Sequence, residues 1–294
     1  MKHIETNGRL PLTAFRKISM GNWRHPRDPQ TYAEVELNVE PALRFLEQQQ
    51  KDRPLTITHY VAKIFGDCFV RHPDLNSVIL RGGMYRRKEV SAFISTLLKR
   101  KNGADLSGFS IRNIDQLSLD EIAAICDREI TRLRHGDDPE FFALDRQLNR
   151  IPMWLVVPLF RVMDFIKYVL NIATRAPGMQ RDRFGSVIIT NIGALGMRSA
   201  FTPLTPVART PFLAAVGKPF DGVVAIDGKV CIQKRIKIGF TFDHRYIDGY
   251  HGSRLLRHFI KVFEAPEKFS TLFSQASTPR ITPEEGADSR SKKC

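Results

Sequence analysis

The fold of this chain is best indicated by residues 239–249, which read GFTFDHRYIDG. Apolar and polar residues alternate up to Asp243, as in a half-buried strand. His244 follows at the strand end, and an Asp-Gly pair begins four residues later, at Asp248. Histidine is the side chain best suited to transfer protons near neutral pH, so this turn is a candidate catalytic site. On spacing alone, a structural histidine in a polar turn is the simpler interpretation.

The wider context favours the catalytic interpretation. Asp-His-Arg-x-x-Asp-Gly at residues 243–249 ends an apolar strand and precedes a predicted helix. This pattern resembles the active-site signature of the dihydrolipoyl acyltransferases, which form the catalytic cores of 2-oxoacid dehydrogenase complexes. Chloramphenicol acetyltransferase shares that fold and has a related signature. The resemblance implies an α/β fold, a chloramphenicol acetyltransferase-like two-layer sandwich of mixed sheet and helices.

A second matching stretch lies about fifty residues earlier. Residues 186–196, SVIITNIGALG, resemble the Thr-x-[Ser/Thr]-Asn-Leu-Gly-x-x-Gly strand of the same cores. On that match, Thr190 donates a hydrogen bond to the oxyanion of a tetrahedral intermediate. Without the match, Thr190 is simply a β-branched strand residue.

The resemblance also implies a reaction. His244 removes a proton from a thiol, the thiolate attacks a thioester carbonyl, and the acyl group is transferred. Asp248 either orients the turn, for example by pairing with Arg16, or assists the imidazole; the orienting role is favoured. The two halves of the site would come from neighbouring subunits of a homotrimer. The implied substrate is a coenzyme A thioester, with no metal ion and no lipoate attached to this chain.

Bulk charge is compatible with this reaction but does not select it. The net charge is +14, from 45 basic and 31 acidic residues, which attracts anions such as coenzyme A, nucleic acid or acidic lipid. Nucleic-acid binding is suggested by charge alone, because the sequence has no zinc, helix-turn-helix or aromatic RNA-binding signature. We therefore expect no nucleic-acid partner.

The cysteines and the N-terminus favour a cytoplasmic protein. The four cysteines, Cys68, Cys126, Cys231 and Cys294, show no paired metal-type spacing and no disulfide pattern. The first ten residues lack the apolar core of a secretory signal.

We expect one catalytic domain over residues 1–275, followed by a polar, disordered tail over 276–294. Predicted helices cover 41–50, 55–70, 118–134 and 253–263. Predicted strands cover 31–39, 89–98, 109–114, 186–190, 211–216, 222–226, 229–232 and 235–242. Asp227-Gly228 predicts a tight hairpin.

A helical insertion at about 141–179 replaces the shorter linker of the related cores. A helix over 159–173 would be about 22 Å long, too short to cross a bilayer core of about 30 Å. One side carries Arg161, Asp164, Lys167 and Asn171, and the other side is apolar. The helix either packs on its own domain or another subunit, or residues 151–173 contact a membrane surface, which would make the protein peripheral.

Two departures from the family leave the substrate open. The lipoyl and subunit-binding domains of the full-length enzymes are not recognisable, which predicts a separate acyl carrier, a free thioester or a different acceptor. The strand at 106–111, LSGFSI, differs from the usual Gly-Leu-x-x-Pro-Val. The alternative function is a non-catalytic trimeric scaffold, or a membrane-associated binding module, of the same fold.

Overall fold

A computed structural model describes residues 2–13, 29–50, 52–100, 103–135, 151–174, 176 and 179–274. The strands are β1 (Thr6–Arg9), β2 (Gln30–Asn38), β3 (Ser77–Leu80), β4 (Gly83–Arg87), β5 (Ala92–Arg100), β6 (Gly103–Ile111), β7 (Val187–Asn191), β8 (Phe212–Val216), β9 (Phe220–Ile226) and β10 (Lys229–Asp243). The helices are α1 (Glu40–Gln49), α2 (Ile57–Arg71), α3 (Leu119–Arg134), α4 (Met153–Asp164), α5 (Gly249–Glu264) and α6 (Ser270–Ser274).

Seven strands form one mixed sheet in the order β2-β10-β8-β7-β5-β6, with β9 paired to the first half of β10. Strands β5, β7 and β8 are parallel, and β10 runs antiparallel to both β2 and β8. The hairpin predicted at Asp227-Gly228 joins β9 to β10, and both turn residues have positive φ. The predicted fold class, a mixed sheet layered with helices, is confirmed.

Helices α1, α2, α3 and α5 cover one face of the sheet, because alternate strand residues on that face are apolar. Phe65 of α2 lies at the centre of this core. Its ring centroid is 5.3–6.2 Å from those of Phe69, Phe212, Phe240 and Phe259. Aromatic rings bury the largest apolar areas, so this cluster fixes the helical layer on the sheet.

The other face is covered partly by the segment 192–208. Its Ile192 and Leu204 pack on Ile188 and Leu213, which point away from the helices. The Thr241 hydroxyl donates to the carbonyl of Thr202 at 2.7 Å, which holds the segment against the last residues of β10. This face is therefore thinner than the helical face.

Capping residues explain where the helices begin. Ser118 and Glu121 form a capping box at the start of α3, as the sequence predicts. Thr56 and His59 form a second box at the start of α2. Asp248 caps α5, which begins at Gly249 rather than at the predicted Ser253.

A small antiparallel sheet, in the order β1-β4-β3, was not predicted. Each of its strands has only four or five residues, too few to show a clear alternation. The buried Arg87 at the end of β4 pairs with Asp182 at 3.0 Å and so ties this sheet to the loop before β7.

The helix of the insertion begins earlier than predicted. Helix α4 begins at Met153, passes through the exposed Pro158 and continues as a π-helix over Phe165–Val169. The prediction began after Pro158 because proline interrupts most helices. The polar side faces inward: Lys167 is buried and Asp164 pairs with Arg209.

The apolar side of the insertion faces outward. Among its residues, Val162 is 55% and Phe165 51% exposed. No helix among the described residues is long and apolar enough to span a bilayer. The predicted disordered tail, Arg16 and residues 141–150 of the insertion lie outside the described residues.

Candidate active site

His244 directly follows β10, as predicted. Its backbone N–H donates to the carbonyl of Pro29 at 2.8 Å, just before β2 begins. The side chain is half-buried. His244 is therefore held at the end of the sheet where β2 begins and β10 ends.

The neighbouring charged residues build the turn. The Arg245 guanidinium donates to both carboxylate oxygens of Asp243, at 3.0 and 3.1 Å from Nε. Burial acts against the charged form of Arg245, but the hydrogen bond to Asp243 and its charge outweigh this, so the pKa of Arg245 is raised. The Asp243 N–H donates to Pro211 at 3.1 Å. As the sequence indicates, these two residues shape the turn.

The buried Tyr246 holds the same turn in place through its hydroxyl group. It is 1% exposed, and its hydroxyl accepts from the Ile79 N–H at 3.1 Å and donates to the Arg209 carbonyl at 3.3 Å. Burial raises the pKa of Tyr246, so the phenol stays neutral. The position of His244 is thus coupled to the small sheet through Ile79.

Asp248 is placed at the start of α5. Its Oδ1 accepts from the His251 N–H at 2.9 Å and lies 2.5 Å from His251 Nδ1. A side-chain oxygen at this position satisfies a free helix N–H group. The contact with His251 was not predicted. The sequence does contain an indication of it, because an acidic capping residue is followed three residues later by histidine. The suggested Arg16 partner lies outside the described residues.

Thr190 lies near the carboxyl end of β7. It pairs in register with Ser95 of β5 and Ala215 of β8. Like Ile188, it belongs to the face opposite the helices. The next residue, Asn191, closes the strand: its amide donates to Thr58 Oγ1 at 3.1 Å and accepts from the Ala194 N–H at 3.1 Å.

Two glycines let the chain turn sharply after Thr190. Gly196 has φ +81°, a left-handed conformation that favours glycine. A Cβ at Gly193 would lie 2.8 Å from the backbone of Gly217. The turn therefore needs the glycines that the motif supplies, and it places Thr190 at an open strand end.

Within one chain, Thr190 and His244 do not meet. Thr190 pairs directly with Ala215 of β8, and Ala215 pairs directly with Gly239 of β10. His244 lies five residues further along β10, about 17 Å along the strand direction and about 10 Å across two strand spacings. The predicted residues therefore occupy opposite ends of the sheet.

The described residues contain no group of three or more histidine, cysteine or acidic side chains placed to hold a metal ion. The candidate groups that the structure places are an imidazole and a hydrogen-bonded turn at one end of the sheet and a hydroxyl at the other. These groups suit proton transfer and oxyanion stabilisation.

Comparison with known proteins shows what this chain is similar to. Residues 176–271 match the family "2-oxoacid dehydrogenases acyltransferase (catalytic domain)". This range contains both Thr190 and His244. The lipoamide acyltransferase component of the branched-chain alpha-keto acid dehydrogenase complex of Pseudomonas putida is 31% identical over 104 residues, which are 34% of this chain and 24% of that protein.

Solved structures extend the likeness to most of the chain. A probable dihydrolipoamide acetyltransferase of Listeria monocytogenes has TM-score 0.60 and 14% identity, covering 88% of this chain and 94% of the other. The dihydrolipoamide acetyltransferase of Azotobacter vinelandii has TM-score 0.60 and 19% identity, covering 90% and 94%.

The predicted resemblance is confirmed: this chain is similar to the 2-oxoacid dehydrogenase acyltransferases in sequence over residues 176–271 and in fold over most of its length. The sequence matches cover only about a fifth to a third of the curated relatives' own length. The identity of the residues that do the chemistry stays a prediction.

Proposed function

We propose that this chain is an acyltransferase that moves an acyl group between a thioester, of coenzyme A or a lipoyl-type carrier, and an acceptor. The observation that carries the proposal is the joint presence of His244 at the end of β10 and Thr190 at the open end of β7, in the stretch that matches the family.

His244 acts as the general base. It takes the proton of a thiol, and the resulting thiolate attacks the thioester carbonyl to give a tetrahedral intermediate. Thr190 donates its hydroxyl proton in a hydrogen bond to the oxyanion, which stabilises that intermediate. Collapse expels the original thiol as a thiolate, which recovers the proton from His244.

Asp248 acts by orienting the turn. The study of the Azotobacter enzyme names a serine, a histidine and an asparagine in its catalytic mechanism, with the asparagine four residues after the histidine. His244 and Asp248 have the same spacing. Asp248 also caps α5, so it fixes where the helix after His244 begins.

The assembly we propose is a homotrimer with its sites between subunits. The separation of Thr190 and His244 in one chain supports this, because a thioester carbonyl must contact both within a few ångströms. Thr190 lies on the face opposite the helices, where only a thin segment covers the sheet. A neighbouring subunit would bring its own His244 to this end.

The test is acyl transfer from a panel of acyl-coenzyme A donors to dihydrolipoamide and to simple amines and alcohols. We expect His244→Ala to lower kcat by about 10²–10⁴-fold, the range for loss of a general base. His135→Ala, at an exposed histidine after α3, is the matched control. Full turnover by His244→Ala would remove the proposed role.

A non-catalytic scaffold of the same fold is the second candidate. It predicts no turnover with any donor and no heat of coenzyme A binding in calorimetry.

A membrane contact through residues 151–173 is a further part of the proposal. It is favoured by the outward apolar side of the insertion, where Trp154 is 73% exposed beside Val162 and Phe165. Interfacial helices bury such residues and are helped by basic charge. Flotation with anionic liposomes at low salt tests it: Trp154→Ser should weaken binding, and an unbound wild-type protein would contradict it.

A further inference from the structure

A cleft of about 130 Å³ lies between the insertion and the residues that precede β7. Its apolar walls are Phe160, Met163, Phe184 and Val207. None of the residues proposed for acyl transfer lines it. An enclosed apolar cavity of about 150 Å³ is known to hold benzene, so this cleft has room for about six carbon atoms.

A buried basic side chain lines the cleft. It is Lys167, which is only 7% exposed. The one lining carboxylate, Asp164, is held by Arg209 at 2.6 Å and is thus already compensated. No carboxylate of a described residue lies within ion-pair distance of the Lys167 amine. A mostly apolar cleft that contains a buried ammonium group favours an anion with an apolar body.

Burial lowers the pKa of Lys167 to about 8, while the charges of Asp182 and Asp164 act against this shift. The amine is therefore still mostly protonated at pH 7. The Lys167 Nζ lies 5.4 Å from the centroid of the Tyr168 ring, and a bound anion would add an oppositely charged partner to this cation–π contact.

Gln180 gives a second, independent indication. It lines the cleft, and both its amide nitrogen and its amide oxygen are buried with no hydrogen-bond partner among the described residues. Leaving buried polar atoms unpaired is costly and uncommon, so such a group is expected to serve a ligand. An amide N–H is a suitable donor to a carboxylate oxygen.

We propose that this cleft binds a small apolar monocarboxylate of about six carbons. The carboxylate lies against Lys167 and Gln180, and the hydrocarbon lies against Phe160, Met163, Phe184 and Val207. The site is separate from the proposed transfer site, and the inference does not depend on the acyltransferase proposal.

Calorimetric titration of the full chain with hexanoate tests the proposal, with hexanamide as the neutral analogue and butanoate as the shorter acid. We expect hexanoate to bind. Hexanamide should bind at least tenfold more weakly, because only hexanoate has a negative charge that pairs with the ammonium group of Lys167. Loss of two methylenes should weaken butanoate about tenfold.

Two variants separate binding from folding. Lys167→Met keeps most of the length of the side chain, removes its charge and should weaken hexanoate binding about 10- to 100-fold. Gln180→Leu should weaken hexanoate while it keeps or raises Tm, because it removes an unpaired buried amide. Lys268→Met, at an exposed lysine, is the matched control and should change neither.

Three results would overturn the proposal. They are no heat of binding with hexanoate, equal affinity for hexanoate and hexanamide, or unchanged hexanoate affinity in a folded Lys167→Met protein.

Discussion

Thr190 and His244 lie at opposite ends of the central sheet. Thr190 is in register with Gly239, and His244 follows Gly239 by five residues on β10. One chain therefore presents half of a site at each end. This arrangement requires that any reaction using both residues takes them from two chains.

Mixing two inactive variants tests this arrangement. If the site lies between subunits, co-expressed His244→Ala and Thr190→Ala chains form some sites that contain both native residues. For random mixing in a closed ring, about a quarter of the sites are intact, so about a quarter of wild-type activity should return. Purified co-expressed oligomers should be assayed beside each variant alone. No recovery in verified mixed oligomers would contradict the shared site.

The hydroxyl of Thr190, rather than its methyl group, should matter. We expect Thr190→Ala to lower kcat about 10²–10³-fold, as for loss of one oxyanion donor in other enzymes. Thr190→Ser keeps the donor and should retain most activity. The measurement is steady-state kinetics on protein with unchanged Tm. Equal loss in both variants would indicate a packing role on β7 instead.

Two substitutions can distinguish the role of Asp248 as a helix cap from the effect of its charge. Asp248→Asn keeps a good cap for α5, whereas Asp248→Ala removes it and should lower the free energy of unfolding by about 1 kcal/mol. If Asp248 acts by orienting the turn, Asn should keep most activity and Ala should lose activity and stability together. Urea unfolding and kinetics are compared on the same samples. A large loss of activity in a stable Asp248→Asn protein would instead show that the charge assists His244.

Acid should destabilise the protein through His59. Burial lowers the pKa of this residue to about 4 from 6.5, although the charge of Asp127 acts against the shift. Between these pH values the unfolded chain binds a proton that the folded chain does not, so the free energy of unfolding falls as pH falls. The contribution is on the order of 2 kcal/mol at pH 4.

The protonation would also disturb the capping box of α2, in which His59 Nδ1 accepts from the Thr56 N–H at 3.3 Å. Protonation removes that acceptor. His59→Gln keeps an acceptor at a position where glutamine is a normal partner and does not titrate. Its unfolding free energy, measured in urea from pH 7 to 4, should fall less steeply than that of the wild type. Parallel curves would show that His59 does not contribute.

The segment 192–208, which covers part of the sheet face opposite the helices, packs closely on Gly239. A Cβ there would lie 2.3 Å from the Ala200 carbonyl oxygen. Gly239→Ala should therefore displace the covering segment and cost about 2 kcal/mol, as overpacking commonly does. Gly249→Ala is the control, because no described atom lies within 4 Å of its Cβ position. An unchanged urea midpoint for Gly239→Ala would mean that the segment is not packed there.

The sequence by itself determined most of the helical layer and of the main sheet. Alternating runs marked β2 and β10, apolar runs marked β7 and β8, and the Ser118 cap marked α3, because these signals are local. His244 and Thr190 could be selected as candidates for the same reason, since each lies in a short motif at a strand end. The three-stranded sheet was missed because its strands are too short to show a period.

Only the tertiary structure decided how these pieces face one another. Sheet register depends on pairing between distant segments, and it placed Thr190 and His244 at opposite ends. The orientation of the insertion was also a tertiary result. The sequence left open what each side of the helix contacts; in the structure Asp164 pairs with Arg209 and Lys167 is buried, while the apolar side is exposed. Amphipathic periodicity gives two faces, and the contacts made by the rest of the chain select which face is covered.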